Sequence, residues 1–296
     1  MWGNKFNKWQ RILAPYIFVA PGFIFYMMVT FIPAIVGIWL SFNQWSIISP
    51  EAEFVGLQNY ISMLQDERFW SSVYNTAVYA LGLIPGIVIF SLITALLLNT
   101  KIKKIVFFRA LFYLPVITPI AVASVIWTWI YHPRIGIMNW LIGLFGWTRV
   151  NWLANPDTVI PALVLMGIWL SIGSRMIIYL AALQGIPRSY YEAAQIDGAG
   201  KWQTFWYLTL PLLKPTTLFI MITTTIGAFR VFAQVNIMTQ GGPVDKSLVL
   251  VYYIFQRAFA DLRMGYSAAM SVFLFIITVI ITLINWKLLG RNISYE

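Results

Sequence analysis

Six long apolar runs separated by short polar stretches set the frame of this chain: Tyr16–Leu40, Val73–Leu98, Phe112–Tyr131, Val159–Ala181, Thr216–Asn236 and Ala268–Leu289. Each is close to the ~20 apolar residues that a helix needs to cross a bilayer. The pattern predicts an all-α, polytopic membrane protein with six transmembrane helices. The polar stretches differ in charge from one side to the other. With the amino terminus in the cytosol, that side receives twelve basic residues: Lys5, Lys8, Arg11, Lys101, Lys103, Lys104, Arg109, Arg188, Lys201, Lys214, Lys287 and Arg291. The opposite side receives six, at Arg68, Arg134, Arg149, Lys246, Arg257 and Arg263. Basic loops stay on the cytosolic side of a membrane, so both termini are expected there. The expected division is a cytosolic segment 1–15, a transmembrane domain 16–291 and a cytosolic tail 292–296, with a cytosolic helix-turn-helix loop at about 187–215.

Composition agrees with this reading. The 296 residues are 60% hydrophobic and only 10% charged, and mean hydropathy is +0.76; soluble domains carry about a quarter charged residues. The net charge of +10 follows from the basic cytosolic loops, so no nucleic acid partner is expected. Seven of the ten acidic residues fall on the outer side: Glu51, Glu53, Asp66, Glu67, Asp157, Asp245 and Asp261. The absence of cysteine excludes disulfides, thiolate metal sites and catalytic thiols.

The longest polar-bearing stretch on the cytosolic side reads EAAQIDGAGKWQTFWYLTLPLLKP, Glu192 to Pro215. Ser189 stands three residues before Glu192, the spacing of a capping box, which predicts a helix from about Tyr190 to Asp197. Gly198 and Gly200 supply permissive backbone for a bend. A second short helix is expected over Lys201–Thr209, with Pro211 ending it. The small Ala193 and Ala194 would let another surface approach closely.

This stretch closely resembles the EAA motif of ABC-importer permeases, a cytosolic loop that docks on an ATPase subunit. Glu192, Ala193 and Ala194 match its first positions, Asp197, Gly198 and Ala199 its central turn, and Phe205, Leu210 and Pro211 its end; Leu208 replaces the usual isoleucine. Further stretches resemble the carbohydrate-uptake branch of these permeases: FVGLQNY at Phe54–Tyr60, TWIYHPRIGIMNWL at Thr128–Leu141 and MTQGGP at Met238–Pro243. The resemblance implies one permease subunit of a bacterial sugar importer in the cytoplasmic (inner) membrane. Its partners would be a homologous second permease, two ATP-binding subunits and an extracytoplasmic solute-binding protein. ATP and Mg would then sit on the partner ATPase, with no cofactor on this chain. Glu192, Ala193, Ala194, Asp197, Gly198, Ala199 and Pro211 would couple the permease to that ATPase.

Two basic residues stand inside apolar runs, Arg175 in the fourth and Arg230 in the fifth. An arginine at a membrane helix centre costs at least ~2.5 kcal/mol, so it faces protein or water rather than lipid. At 1.5 Å per residue, Arg175 lies about 8 Å to the cytosolic side of its span's centre and Arg230 about 6 Å to the outer side of its own. One small ligand is therefore not expected to touch both. Arg230, with Gln234 and Asn236, is the expected wall of an outward-opening substrate path; Arg175 is a second candidate, with backbone pairing or snorkelling as its simpler role. If Arg230 lines the path, an anionic or heavily hydroxylated solute suits it better than a cation.

Other chemistry is missing. GAGKW at Gly198–Trp202 fails as a phosphate loop, since Gln195 stands where the first glycine is required and Trp202 where Ser or Thr is required. His132, the lone histidine, has no metal-type neighbour. No catalytic residue and no metal site is expected, and the chain is read as a transport subunit rather than an enzyme. Two readings compete: an ABC permease for a non-sugar polar solute such as glycerol phosphate, and an ATP-independent secondary carrier, which would need inverted repeats or intramembrane coupling residues, neither of which is evident. A non-transporting scaffold would have little use for an arginine inside a span.

Overall fold

The computed structural model describes residues 8–49, 51–100 and 104–290. Lys5, Lys101, Lys103, Arg291 and the expected tail 292–296 lie outside the described residues. Helices dominate what is described, the strands being a two-residue antiparallel pair, Asn43–Gln44 with Glu53–Phe54. Among the described residues, four helical stretches are long and apolar enough to cross a membrane: Leu13–Leu40, Glu67–Leu98, Val159–Gly185 and Met264–Leu288. The count reaches six if each of two bent helix pairs forms one span. The fold is thus that of a multi-pass helical membrane protein.

The chain separates into two compact units. The first comprises the chain up to Gln65 together with Arg257–Val272. It begins with α1 (Lys8–Tyr26), a π-helical turn at Met27–Phe31 and α2 (Ile32–Leu40). The π turn directly precedes Pro33, whose ring and missing N–H cannot fit an unbroken α-helical ladder. Beyond α2, Asn59 on α3 (Gln58–Gln65) donates to the carbonyls of Ser41 and Asn43, both at 3.0 Å. The Ser41 hydroxyl meets the Tyr60 hydroxyl at 2.7 Å. The FVGLQNY stretch therefore holds the loop that follows α2. Gly265 lies against the carbonyl of Asn43 so closely that a Cβ there would collide with it.

The second unit, Asp66–Gln256 with the chain from Phe273 on, is organised around α4 (Glu67–Leu98) and α8 (Val159–Gly185). Glycines make their crossing close. A Cβ on Gly82 would stand 3.2 Å from Val164, one on Gly86 would collide with Ile168, and one on Gly167 would stand 2.7 Å from the Tyr79 hydroxyl. Apolar side chains gain little by leaving lipid for a helix interface, so small residues that permit close packing hold such helices together. Pro85 is accommodated inside α4 without a break. Gly173 gives α5 (Ile105–Ile117) the same close approach to α8, at Phe112 and Tyr113. Ala95, Met176, Tyr179, Leu213 and Ile220 are fully buried where α4, α8 and α12 (Lys214–Phe229) meet.

The third apolar run, expected as a single span over Phe112–Tyr131, is divided. α5 and α6 (Ile120–Ile130) meet at 101°, because Thr118 and Pro119 take extended backbone with ψ of 124° and 134°; the short α7 (Ile137–Leu144) follows before α8. The fifth is also interrupted. α12 ends at Phe229, the chain turns through Arg230–Phe232, and α13 resumes over Ala233–Met238.

The loop after α13 is pinned onto the start of α4. Asp66 caps that helix, accepting from the N–H of Arg68 at 3.0 Å and of Phe69 at 3.4 Å. Asn75 donates to the carbonyls of Asp245 and Leu248 at 2.7 and 3.1 Å, and Thr76 accepts from the N–H of Leu250 at 2.8 Å. MTQGGP forms a turn, with Gln240 and Gly241 both at positive φ.

Candidate functional site

Between α8 and α12 the chain forms a helical hairpin over Arg188–Leu212. Its first arm, α9 (Arg188–Ile196), ends in a Schellman turn: the N–H of Ala199 donates to the carbonyl of Ala194 at 2.9 Å, and that of Gly198 to Gln195 at 3.1 Å. This closure requires left-handed backbone after the helix, and Gly198 has φ +77°. The reading of Gly198 as the hinge therefore has a physical basis. The capping box does not fall at Ser189 and Glu192. α9 starts at Arg188 after Pro187, two residues earlier than expected, which places Ser189 inside the helix, and no side chain caps its start. The box-like bond lies instead on the second arm, where Gly200 N–H donates to Gln203 Oε1 at 2.9 Å.

The second arm is longer than expected. α10 (Lys201–Thr204), a π turn at Phe205–Thr209 and α11 (Leu210–Leu212) run on through Pro211. Pro211 does not end the helix, because the π turn before it shifts the hydrogen-bond register, as the one before Pro33 does. The stop comes at Leu213, where the arm meets α12 at 61°. The Tyr191 and Thr209 hydroxyls, 3.3 Å apart, link the two arms. Glu192, Ala193, Asp197, Gly198 and Pro211 are exposed, and Ala194 and Ala199 are half-buried. Ala194, Asp197, Gly198, Tyr207 and Leu208 line a groove of about 420 Å³ between the arms.

A second feature lies inside the second unit. A cavity of about 320 Å³ is lined by Tyr79, Ser171, Arg175, Thr224, Arg230 and Gln234 among apolar neighbours such as Leu83 and Leu170. The two arginines, expected to be too far apart in depth for one small ligand, line the same cavity. The helix ends at Phe229, so Arg230 sits in a turn rather than along a continuous span. Gln234 is 2% exposed and donates from Nε2 to the Tyr79 hydroxyl at 2.6 Å. Asn236 does not belong to the lining; it lies on α13, its N–H bonded to the carbonyl of Phe232.

Arg175 donates to the Ser174 hydroxyl at 2.7 Å. The Thr224 hydroxyl is buried with no hydrogen-bond partner. Tyr79, Ser171 and Thr224 were not singled out from the sequence, although three consecutive threonines, Thr223–Thr225, inside an apolar run were a legible signal. His132 Nδ1 accepts from the N–H of Arg134 and Ile135, at 3.2 and 3.3 Å, which makes it a turn residue.

Residues 60–291 match the model of a family described as binding-protein-dependent transport system inner membrane component. A probable ABC transporter permease protein, YesP of Bacillus subtilis, is 37% identical over 96% of this chain and 93% of its own. The arabinooligosaccharides transport system permease protein AraP of the same organism is 33% identical over 98% and 92%. Among solved structures, a chain of a bacterial ABC transporter that imports the acidic polysaccharide alginate superposes with a TM-score of 0.83 at 24% identity, covering 96% of this chain and 98% of that one; it supports the fold. The multi-pass helical fold, the family match and the two relatives agree, and the chain belongs to the ABC transporter permeases, the inner membrane components of binding-protein-dependent transport systems.

Proposed function

We propose that the chain is the transmembrane permease subunit of an ATP-driven importer that takes a sugar or sugar derivative, oligosaccharides foremost, from an extracytoplasmic binding protein into the cytosol. The exposed hairpin at Arg188–Leu212 carries this reading. It is stiffened by the Schellman turn and by the Tyr191–Thr209 contact, and it presents apolar side chains to solvent: Ile196 is 87% exposed, Trp202 72% and Tyr207 84%. On the cytosolic side, where lipid does not cover them, such exposed apolar side chains mark a contact surface. In this account loop 187–215 is cytosolic, both termini are cytosolic, and α5 with α6 and α12 with α13 complete six spans. The hairpin docks on one of two ATP-binding subunits through Glu192, Ala193, Ala194, Asp197, Gly198, Ala199 and Pro211.

ATP and Mg then belong to those subunits, and this chain holds no cofactor of its own. A homologous second permease completes the path. Closure of the ATP-binding subunits pushes the hairpin as a lever, and its direct passage into α12 carries that motion to the cavity beside Arg230. The sugar class rests on the carbohydrate-type stretches of the sequence and on the oligosaccharide in the name of AraP. Affinity purification of the tagged chain from its native membrane, with mass spectrometry of the retained proteins, tests the assembly. An ATP-binding subunit and a second permease are expected; recovery of the chain alone, still able to take up solute after ATP depletion, contradicts the proposal.

A further inference from the structure

We infer that the cavity lined by Arg175 and Arg230 receives an anionic group, so that the transported solute is a sugar derivative carrying a carboxylate or phosphate. This deepens the importer reading and rests on it. Both arginines line one cavity, and neither meets an acidic side chain among the described residues. No Asp or Glu contributes to its wall. Asp157, one of the acids flanking α8, is 18 residues from Arg175, about 27 Å along a helix axis. Asp245, the acidic residue nearest to Arg230 in sequence, is held by Arg68 through two bonds of 2.8 Å.

Arg175 is half-buried beside the partly apolar cavity and Arg230 is exposed at it; a guanidinium partly withdrawn from water, as that of Arg175 is, is normally paired. Arginine presents a planar fork of donors that matches carboxylate and phosphate oxygens. The Thr224 hydroxyl, buried and without a partner, adds a neutral donor or acceptor of the kind that a sugar hydroxyl meets. A volume of about 320 Å³ is at the small end of ligand sites and suits one charged sugar unit rather than a long oligomer enclosed whole.

The test is made on the purified complex of the chain with its partner subunits in nanodiscs. Saturation-transfer NMR gives dissociation constants for glucuronate, glucose 6-phosphate and glucose, the first two separating carboxylate from phosphate. At least one anionic probe is expected to bind about ten- to hundredfold more tightly than glucose. Arg175→Gln and Arg230→Gln should each remove most of that preference, and Arg230→Lys should keep part of it. Size-exclusion chromatography and ATP hydrolysis report whether each variant still assembles. Equal binding of glucose and the anions, or no binding of any probe, by an assembled complex overturns the anion site and leaves the importer standing. An anion preference that survives both glutamine variants also overturns it. Variants that lose the second permease would show instead that the arginines pair with an acid on that subunit. Failure of the wild-type chain to assemble with any ATP-binding subunit would sink the importer reading itself.

Discussion

The side-chain amide of Gln234 on α13 donates to the hydroxyl of Tyr79 on α4 at 2.6 Å, and both residues are almost wholly buried beside the cavity that holds Arg175 and Arg230. Losing one partner of a buried bond leaves the other unsatisfied, at about 1–3 kcal/mol. Gln234→Leu and Tyr79→Phe are each expected to lower stability by that amount. The double variant, with neither polar group left, should lose less than the sum. Thermal unfolding in detergent, followed by tryptophan fluorescence, measures the cycle; strictly additive losses would mean that the bond contributes nothing.

The α4–α8 crossing depends on the absence of side chains. Gly86→Leu forces a side chain into Ile168 and is expected to cost about 1–3 kcal/mol or more, the usual range for overpacking. Gly22, with nothing within 4 Å of a built Cβ, is the control, and Gly22→Leu should unfold at the wild-type temperature. Equal melting temperatures for the two variants would remove the glycines from the account of packing.

Asp245 carries two contacts to α4 of unlike worth. Its carboxylate pairs with Arg68, but the two side chains are 41% and 47% exposed, and exposed pairs contribute about 0.2–1 kcal/mol. Its backbone carbonyl accepts from Asn75, which is buried and also holds Leu248. Asn75→Ala strands both carbonyls, so it is expected to destabilise more than Asp245→Ala, by about 1–3 kcal/mol. Only the Asp245→Ala loss should shrink in high salt. The reverse ranking in thermal unfolding would make the ion pair the main tie.

Much of this molecule could be read from the chain because its strongest signals are local. Apolar runs, basic loops and the Glu192–Pro215 pattern led to a multi-pass permease, and Gly198 was placed correctly because left-handed backbone strongly favours glycine. What escaped depends on partners distant in sequence. Gly82 and Gly86 lie in an apolar run that does not itself show what they face, and their role is to admit Val164 and Ile168. Pro211 suggested a helix end, but a π turn five residues long absorbs it. Arg175 and Arg230 were placed by counting along straight spans, whereas the chain breaks after Phe229.

Gly198→Ala places a Cβ on backbone at φ +77°, where a left-handed residue costs roughly 1–2 kcal/mol. Less ATP-binding subunit should co-purify with this variant, while Gly198→Asn, which tolerates that conformation better, should retain more. Equal recovery with both would separate the turn from docking.

The chain has no cysteine, so a single introduced thiol reports one position, and this gives the most direct test of the hairpin as the ATPase contact. Ile196→Cys at its tip and Ile48→Cys after α2, both at highly exposed positions, are treated in native membranes with a short bifunctional thiol–amine cross-linker. The account predicts that position 196 cross-links to an ATP-binding subunit and is shielded from a membrane-impermeant reagent added outside, while position 48 is labelled from outside and does not reach that subunit. Labelling of position 196 from outside, with the ATP-binding subunit captured by position 48 or by neither, would contradict it.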